Sequence, residues 1–426
     1  MIDEVKAPGK EFFSPARSIG AAMSDFMLKH PDFYLFSPDE TTSNKLDAIY
    51  EFESRAWDLP QKAWDLPEAA NGRIIEMLSE NTLFACMVGH LMNGESAMMT
   101  SYESFFNIIT SQILQHIKFL QQSAVVSWRP NIPSANLLST STCWRQDHNG
   151  FTHQSPALIS ALLSNPSCRA NCLFPLDDVA AEATFIYLTK SKNMVNLATF
   201  NKTEQPRWLN SHQADAQFAS GGVAIVDFAD GSEVTISGPK SPSVSANSDD
   251  STVQVKTIKK ANPHDDPDFV LVGVGDIVSC EALAALKILR QDLPELHFRF
   301  ININALSYNH IGLAERPLTQ KKFDEFFTAD KPIIANFHGY PAVLHQILSQ
   351  YTNSERLHVH GFEEQGSTTT PFQMLSVNHA SRYHLATDVA KRLNRDDLAQ
   401  KYQKILADNR DYAYKHDVDL PELASY

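Results

Sequence analysis

Short apolar runs, separated by stretches with helical spacing, make up most of this chain of 426 residues. Runs rich in β-branched and aromatic residues predict strands at 170–174, 195–200 and 223–228. Residues 179–188, between the first two runs, have a helical pattern. A strand, a helix and a strand at this spacing predict a parallel α/β sheet.

A mostly helical pattern extends over residues 74–122. Ser101 can cap a helix in this region, because its hydroxyl can accept a hydrogen bond from a free backbone N–H. The apolar positions of that helix would face the core, and they are Phe105, Ile108, Ile109, Ile113, Leu114 and Ile117. Residues 1–30 are polar and contain two prolines, so we expect an N-terminal arm with a short helix.

A second α/β unit is predicted from residue 267 to residue 426. Its pattern predicts strands at 268–274, 296–303 and 332–337, a turn at Gly275 and Asp276, and helices at 281–290, 341–349 and 382–393. Residues 229–266 are rich in Ser, Asp, Pro and Gly. We expect a flexible linker or insertion there, with at most one hairpin around 234–236.

The composition is that of an ordinary globular protein, with 43% hydrophobic and 20% charged residues. A formal charge of −14 argues against a nucleic acid or an anionic membrane as the main partner. Five scattered cysteines indicate a reducing compartment, so we expect a cytoplasmic protein. Cys168 and Cys172 lack partners that would complete a tetrahedral site, and we expect no metal ligands in this chain.

The densest group of chemically active side chains lies at 144–154, which reads Trp-Arg-Gln-Asp-His-Asn-Gly-Phe-Thr-His-Gln. A solvated loop is the alternative interpretation, because mixed polar clusters are usually turns. The sequence has no glycine-rich dinucleotide motif, no Walker motif and no nucleophile elbow. Gly275 and Asp276 are fully explained by a turn from a strand into a helix.

The segment 144–154 resembles the active-site loop of the phosphoketolases, which use thiamine diphosphate. Further segments are similar to motifs of that family and follow in its order: 36–46, 78–82, 101–105, 202–209, 337–341 and 366–372. The resemblance runs from about residue 7 to the end and corresponds to the C-terminal half of such an enzyme. It implies an α/β fold with a pyrimidine-binding domain at 31–228 and a transketolase C-terminal-like domain at 267–426.

The resemblance implies that Glu80 holds the pyrimidine ring of thiamine diphosphate. A carboxyl group that donates a hydrogen bond to the ring nitrogen favours the ring tautomer that removes the thiazolium proton. The alternative is a solvated glutamate in the first turn of a helix capped by Ser79. Phe105 would stack on the pyrimidine, and it could also belong to the apolar stripe described above.

Ser43, Tyr102, Asn149 and Lys202 resemble the groups that bind substrate and inorganic phosphate. Their hydroxyl, amide and ammonium groups suit a phosphate, which offers only acceptors. His148 and His153 can transfer protons near neutral pH. His153 matches the histidine next to the thiazolium carbon, and both histidines are candidate catalytic residues.

The implied reaction is cleavage of xylulose 5-phosphate or fructose 6-phosphate with inorganic phosphate, giving acetyl phosphate and an aldose phosphate. The chain lacks the Gly-Asp-Gly motif with a downstream Asn that holds magnesium and the diphosphate. The resemblance therefore implies that a separate N-terminal half supplies that end of the cofactor, or that this sequence is a fragment. A homo- or hetero-oligomer is expected, since these domains pair across a large interface.

Three departures from the family pattern weaken anion binding: Asn81 for His, 93–97 for Thr-Gly-Arg-His-Gly, and His360 for Arg. They favour an alternative function, in which the chain is a non-catalytic remnant that serves as an assembly or regulatory module. The retained Glu80 and the intact 144–154 segment argue against that alternative, because a drifting remnant has no physical reason to keep them.

Overall fold

The structure is a computed structural model that describes residues 5, 8–38, 41–60, 62–65, 67–144, 150–219, 223–229, 233–237 and 267–423, with the backbone alone for 223–229 and 233–237. Its strands are β1 (Phe12–Phe13), β2 (Phe33–Ser37), β3 (Arg55–Ala56), β4 (Glu68–Ala69), β5 (Ile74–Glu76), β6 (Ser96–Tyr102), β7 (Ala135–Thr140), β8 (Ala170–Leu173), β9 (Val195–Thr199), β10 (Gln205–Pro206), β11 (Val223–Ala229), β12 (Glu233–Ser237), β13 (Phe269–Val274), β14 (Phe298–Ile303), β15 (Ala305–Ser307), β16 (His310–Leu313), β17 (Arg316–Pro317), β18 (Ile333–Phe337) and β19 (Leu357–His360).

The α-helices are α1 (Pro15–Lys29), α2 (Glu80–Met92), α3 (Thr110–Ser123), α4 (Ala157–Leu163), α5 (Asp178–Lys190), α6 (Ser211–Ala219), α7 (Asp276–Asp292), α8 (Gln320–Phe327), α9 (Pro341–Leu348), α10 (Pro371–Val377), α11 (Arg382–Arg392) and α12 (Asp396–His416). Short 3-10 helices lie at Asp47–Glu51, Phe105–Ile109, Phe151–His153 and Ser354–Arg356. The predicted α/β class is confirmed.

The larger sheet has eleven strands, in the order β17-β16-β15-β8-β9-β7-β6-β2-β5-β3-β4. Its centre is parallel, because β8, β9, β7, β6, β2 and β5 pair with their neighbours in the same direction. All six residues of β7 are buried, as expected for a strand covered by helices on both faces. The predicted strands at 170–174 and 195–200 and the helix between them are confirmed.

The helical prediction for 74–122 was wrong in its middle part. Ser101 lies inside β6 and does not cap a helix. The interior residues of β6 are all buried, so the strand shows no polar alternation that would distinguish it from a buried helix. The apolar stripe is also broken, since Ile108 is 53% exposed while Phe106, Ile113 and Ile117 are buried.

The smaller sheet has six strands, in the order β12-β11-β14-β13-β18-β19. Strands β14, β13, β18 and β19 are parallel. The predicted hairpin is confirmed, since β11 pairs antiparallel with β12. The sequence grouped 223–228 with the first unit, but β11 pairs with β14 of the smaller sheet.

The two sheets exchange strands across the predicted linker. Strand β15 lies in the second half of the chain, and yet it pairs antiparallel with β8 of the larger sheet. Pairing between segments far apart in sequence depends on tertiary contacts, which a local pattern does not record. The domain limits of 31–228 and 267–426 remain a proposal, and residues 238–266 lie outside the described part of the chain.

Two buried ion pairs fasten helices to their neighbours. Arg207 donates from Nε to Asp178 Oδ1 at 3.0 Å, which ties the segment after β10 to the start of α5. Arg382 donates from Nη2 to Glu281 Oε1 at 2.7 Å and from Nε to Oε2 at 3.0 Å. The backbone N–H of Arg382 also donates to Glu281 Oε2, so this carboxylate holds the start of α11 against α7.

Among the helices described, none is long and apolar enough to cross a membrane.

Replacing Arg382 with Ala should destabilise the protein by about 3–5 kcal/mol, since it leaves the Glu281 carboxylate buried without its cation. Denaturant unfolding measures this loss. Arg395→Ala is the matched control, because Arg395 pairs with Asp397 on the surface, where the two side chains are 39% and 64% exposed. Equal destabilisation by both substitutions would contradict the importance of burial.

Candidate active site

The predicted site residues lie after parallel strands of the larger sheet. Ser43 follows β2, Tyr102 ends β6, His153 follows β7 and Lys202 follows β9. Because these strands are parallel, their carboxyl ends meet at one edge of the sheet. In open α/β sheets, ligands bind in the crevice at this edge.

Tyr102 is the centre of a group of contacting side chains. Its hydroxyl lies 2.5 Å from Ser43 Oγ, and Lys202 Nζ lies 4.7 Å from the centroid of its ring. The Tyr102 ring stacks on Phe105 at 5.6 Å, and Phe105 meets the edge of His153 at 5.2 Å. The structure therefore brings together five residues that the sequence analysis proposed.

Buried polar contacts hold the backbone on either side of this group. Asn44, next to Ser43, accepts a hydrogen bond from Thr140 Oγ1 at 2.5 Å and donates to Thr100 Oγ1 at 3.3 Å. The carbonyl oxygen of Lys202 accepts a hydrogen bond from Ser14 Oγ at 2.8 Å. Both Asn44 and Ser14 are buried. The exposed Ser43 and the half-buried Lys202 are thus carried on a backbone that buried contacts hold in place.

His153 lies on the short helix Phe151–His153, and its Nδ1 is 3.0 Å from Thr152 Oγ1. Gly366, in the C-terminal part of the chain, packs against this helix, since a Cβ atom on Gly366 would overlap Gln154 Oε1. His148 and Asn149 fall among residues 145–149, which lie outside the described residues, so their predicted roles remain predictions.

Glu80 is the first residue of α2, four residues after β5, so it reaches the same edge of the sheet. Ser79 Oγ accepts a hydrogen bond from the Thr82 N–H at 3.3 Å, which makes Ser79 the cap of this helix. The Glu80 side chain is half-buried. A carboxylate in the first turn of a helix is stabilised by the helix dipole. This position of Glu80 suits both interpretations, a solvated glutamate at the start of a helix and a residue that holds the pyrimidine.

A buried network that the sequence analysis missed lies directly behind Tyr102. Glu103 Oε1 is 2.6 Å from His338 Nε2, and Glu103 Oε2 accepts a hydrogen bond from the Cys143 N–H at 3.0 Å. Trp144 Nε1 donates to His338 Nδ1 at 2.9 Å. Glu103 follows β6, Cys143 and Trp144 follow β7, and His338 follows β18. The network therefore joins the two sheets at the edge that carries the site.

The donors in this network fix its protonation. An indole N–H can only donate, so His338 Nδ1 must present a lone pair to Trp144. The proton of the neutral ring then lies on Nε2 and is donated to the Glu103 carboxylate. Burial lowers the pKa of His338 and the Glu103 charge raises it, with a net rise. A second proton on His338 would nevertheless lie on Nδ1 and point at the Trp144 N–H, which is also a donor. We therefore assign His338 the neutral form.

Cys143 lies close enough to Glu103 and His338 for the three to form a candidate metal-binding group. Burial and the neighbouring Glu103 carboxylate raise the pKa of the Cys143 thiol well above its usual range, so it stays protonated. Both Glu103 oxygens and both His338 nitrogens already have hydrogen-bond partners. We assign the group a structural role.

Asp276 links the second unit to the strand end that carries Lys202. Its Oδ2 accepts a hydrogen bond from the Asn201 N–H at 2.7 Å. Burial raises the pKa of Asp276, while hydrogen bonds from backbone N–H groups, including that of Asn201, oppose this rise. The turn before it is confirmed, with Gly275 at φ 121°, where a Cβ would lie 2.5 Å from His338 Cβ. Asp276 thus has a structural explanation.

The three departures from the family pattern have local partners. Asn81 Nδ2 donates to Gln112 Oε1 at 3.5 Å. Glu95 Oε2 lies 2.6 Å from Nδ1 of His90, in the last turn of α2. His360 Nε2 lies 3.0 Å from Asp388 Oδ2.

Family models match most of the chain. Residues 17–190 match the model described as D-xylulose 5-phosphate/D-fructose 6-phosphate phosphoketolase, and residues 246–426 match the XFP C-terminal domain. A probable phosphoketolase 1 from Nostoc sp. is 36% identical over 99% of this chain and 50% of its own length. A probable phosphoketolase from Methylococcus capsulatus is 34% identical, again over 99% and 50%. The chain spans about half the length of the curated relatives that it matches.

Solved transketolases share the fold. A transketolase from Pichia stipitis in complex with sedoheptulose 7-phosphate has a TM-score of 0.63 at 15% identity, covering 92% of this chain and 47% of that one. A transketolase from Leishmania mexicana has a TM-score of 0.60 at 13% identity, covering 94% and 47%. A split-gene transketolase, described as an inactive beta4 tetramer, has a TM-score of 0.57 at 13% identity, covering 90% of this chain and 99% of its own.

Glu103→Gln should destabilise the junction between the sheets by about 1–3 kcal/mol, because it leaves one buried polar group unsatisfied. A Gln oxygen can accept from His338 or from the Cys143 N–H, but its NH₂ group then faces the other donor. If His338 changes tautomer so that its Nε2 accepts a hydrogen bond from the Gln NH₂ group, the proton moves to Nδ1 and faces the Trp144 N–H, which is also a donor.

Denaturant unfolding of Glu103→Gln measures this cost, and the ring-nitrogen chemical shifts of His338 report its tautomer. Glu363→Gln is the control, since Glu363 is 40% exposed and bonds His379 on the surface. Glu103→Gln with wild-type stability and an unchanged His338 tautomer would contradict the assigned proton positions.

Proposed function

The chain belongs to the phosphoketolase family, and on that premise we propose that it forms the half of the enzyme that holds the pyrimidine end of thiamine diphosphate together with the ketose phosphate. The contacts among Ser43, Tyr102, Phe105, His153 and Lys202 carry the proposal. They combine hydroxyl and ammonium donors, suited to a phosphate, with an aromatic face suited to a flat heterocycle.

The proposed reaction breaks the C2–C3 bond of xylulose 5-phosphate or fructose 6-phosphate. Inorganic phosphate is consumed and water is released, while the two sugar fragments become acetyl phosphate and an aldose phosphate. Thiamine diphosphate, when bound, supplies the nucleophilic carbon that this bond cleavage requires. The residues of this chain bind the substrates, exclude water and hold or move protons.

Glu80 is proposed to hold a proton against the pyrimidine ring nitrogen, and the half-buried ring of Phe105 to support the pyrimidine face. Ser43, Tyr102 and Lys202 bind phosphoryl oxygens. Lys202 brings the positive charge, and the Ser43–Tyr102 contact orients both hydroxyl groups.

His153 is proposed to move a proton at the substrate oxygens. His148 and Asn149, which lie outside the described residues, are proposed to complete the same set.

Magnesium and the diphosphate are proposed to bind a second, N-terminal half that is not among these 426 residues. The missing Gly-Asp-Gly motif and the coverage of about half of each relative support this division. The split-gene transketolase is a structural precedent for a chain of this extent. We propose that the two halves associate as a dimer or a larger oligomer.

The second candidate function is a non-catalytic assembly or regulatory module. The replacement at 93–97 favours this module. The segment gains an acid, Glu95, which pairs with His90, and it provides no cation that could bind an anion. The retained contacts around Tyr102 favour catalysis instead, since a purely structural module does not need an exposed Ser43 hydroxyl and a lysine ammonium group that both contact the same tyrosine. Activity measurements on a completed enzyme distinguish the two functions.

These 426 residues without an N-terminal half should bind thiamine diphosphate very weakly and show no turnover. The reason is that the charged end of the cofactor has no clamp, and charge-assisted contacts supply much of the affinity for such a group. Isothermal titration calorimetry with magnesium tests this expectation. A micromolar dissociation constant would show that the diphosphate is bound by residues of this chain.

In a chimera that fuses the N-terminal half of the Nostoc relative to this chain, Glu80→Gln should reduce turnover by about 10²-fold or more, the usual scale for a positioned acid or base. Gln keeps the size of the side chain but cannot exchange the proton. His153→Ala should also slow turnover. Acetyl phosphate formation at steady state is the measurement.

The control for the chimera is Glu355→Gln, because Glu355 is exposed, contacts Asn353 and precedes β19, at the end of that strand opposite its carboxyl end. It should retain the rate of the unmutated chimera. A chimera that folds and binds the cofactor but stays inactive would favour the assembly module. Wild-type turnover by Glu80→Gln would refute the role of Glu80.

A further inference from the structure

The second unit carries histidines that the proposed function does not use. His358 and His360 lie two residues apart on β19, so both side chains project from the same face of the strand. Their rings stack with centroids 4.7 Å apart. Asp388, on α11, places its Oδ2 atom 2.9 Å from His358 Nδ1 and 3.0 Å from His360 Nε2. Two imidazole nitrogens thus converge on one carboxylate oxygen.

The hydrogen bonds of His360 show that a cation is needed at this point. Nδ1 of His360 lies 2.7 Å from the carbonyl oxygen of His379, which can only accept, so Nδ1 carries a proton. In a neutral ring, Nε2 then turns a lone pair towards an Asp388 oxygen that is also an acceptor. Either a second proton or a metal ion must bridge these two atoms.

The surroundings favour a metal ion. A histidine that binds a metal usually donates its other ring N–H to a carbonyl or carboxylate, as His360 does to His379. The His358 side chain is 43% exposed, which gives an ion a path from solvent.

We propose that His358, His360 and Asp388 bind a divalent transition-metal ion of the zinc class. The three ligand atoms already lie within 4.8 Å of one another. Zinc holds such nitrogen and oxygen ligands at about 2.0–2.2 Å, so adjacent ligands of a tetrahedral ion are about 3.3 Å apart. The observed separations of 2.9 and 3.0 Å need to widen only slightly, and the fourth position is open to water.

The bound ion would fasten an edge strand to a helix. Strand β19 lies at the edge of the six-stranded sheet, and among the described strands it pairs only with β18. Helix α11 packs against β18 and α7. His360 stands where the family pattern led us to expect Arg, whose charge is permanent. Histidine makes the cation at this position exchangeable. The inference is independent of the proposed function, since no ligand belongs to the Tyr102 group.

The test uses the full chain, untagged and treated with a chelator, in competition with a chromophoric chelator for added ZnCl₂. One tight site per chain is expected. His358→Ala, His360→Ala and Asp388→Asn should each weaken it by about 10²-fold or more, at least the loss seen when outer-shell partners are removed. Added CoCl₂ should give visible ligand-field bands that these variants lack.

His297→Ala is the matched control, because His297 is also 43% exposed and its Nδ1 lies 3.8 Å from Asp268 Oδ2, yet it belongs to neither of the candidate metal-binding groups found among the described residues. It should bind zinc as the wild type does. His358→Ala removes a half-exposed side chain, and thermal unfolding of the metal-free variants confirms that they are folded. If the wild type binds zinc no more tightly than His358→Ala, an ion pair with protonated His360 explains the geometry and the metal site is refuted.

Discussion

The hydrogen bonds of Glu103 hold the two sheets in the relation on which the candidate site depends. One oxygen of this buried carboxylate accepts from the backbone at Cys143, and the other accepts from His338 at the end of β18. Trp144 closes the set through the second nitrogen of His338. Every donor in the network has an acceptor, and the three hydrogen bonds link the residues that follow β6, β7 and β18. Tyr102 is the neighbour of Glu103 in the chain, so its backbone is held by this network.

Two layers of side chains result at the edge of the larger sheet. The inner layer is buried and structural, and includes Asn44, Glu103 and Asp276. The outer layer is half-buried or exposed and carries Ser43, Tyr102, Phe105, His153 and Lys202. Such a division suits a binding site, because groups that meet a ligand are positioned best by neighbours whose own hydrogen bonds are satisfied. It also explains why the Gly275–Asp276 turn has a structural role beside the site.

The histidine cluster on β19 has a different physical character. His358 and His360 both contact one carboxylate oxygen, Oδ2 of Asp388, and they lie on β19, an edge strand of the smaller sheet. In the Glu103 network each carboxylate oxygen and His338 Nδ1 face a donor, whereas at Asp388 two acceptors face each other unless a cation is present. The first arrangement is complete as protein alone, and the second is complete only with an added charge.

Local pattern determined much of this protein: the α/β class, β8 and β9 with the helix between them, β13, β18 and α11. The outer-layer residues were proposed from the resemblance of sequence motifs to those of the phosphoketolases. Apolar runs and turn residues act over a few positions, so sequence reports them directly. Tertiary structure alone decided that 96–102 is a strand, that β11 and β15 change sheets, and that Glu103 meets His338. A strand buried on both faces loses its alternation, and a partner 235 residues away leaves no local trace, because such a contact exists only once the chain has folded.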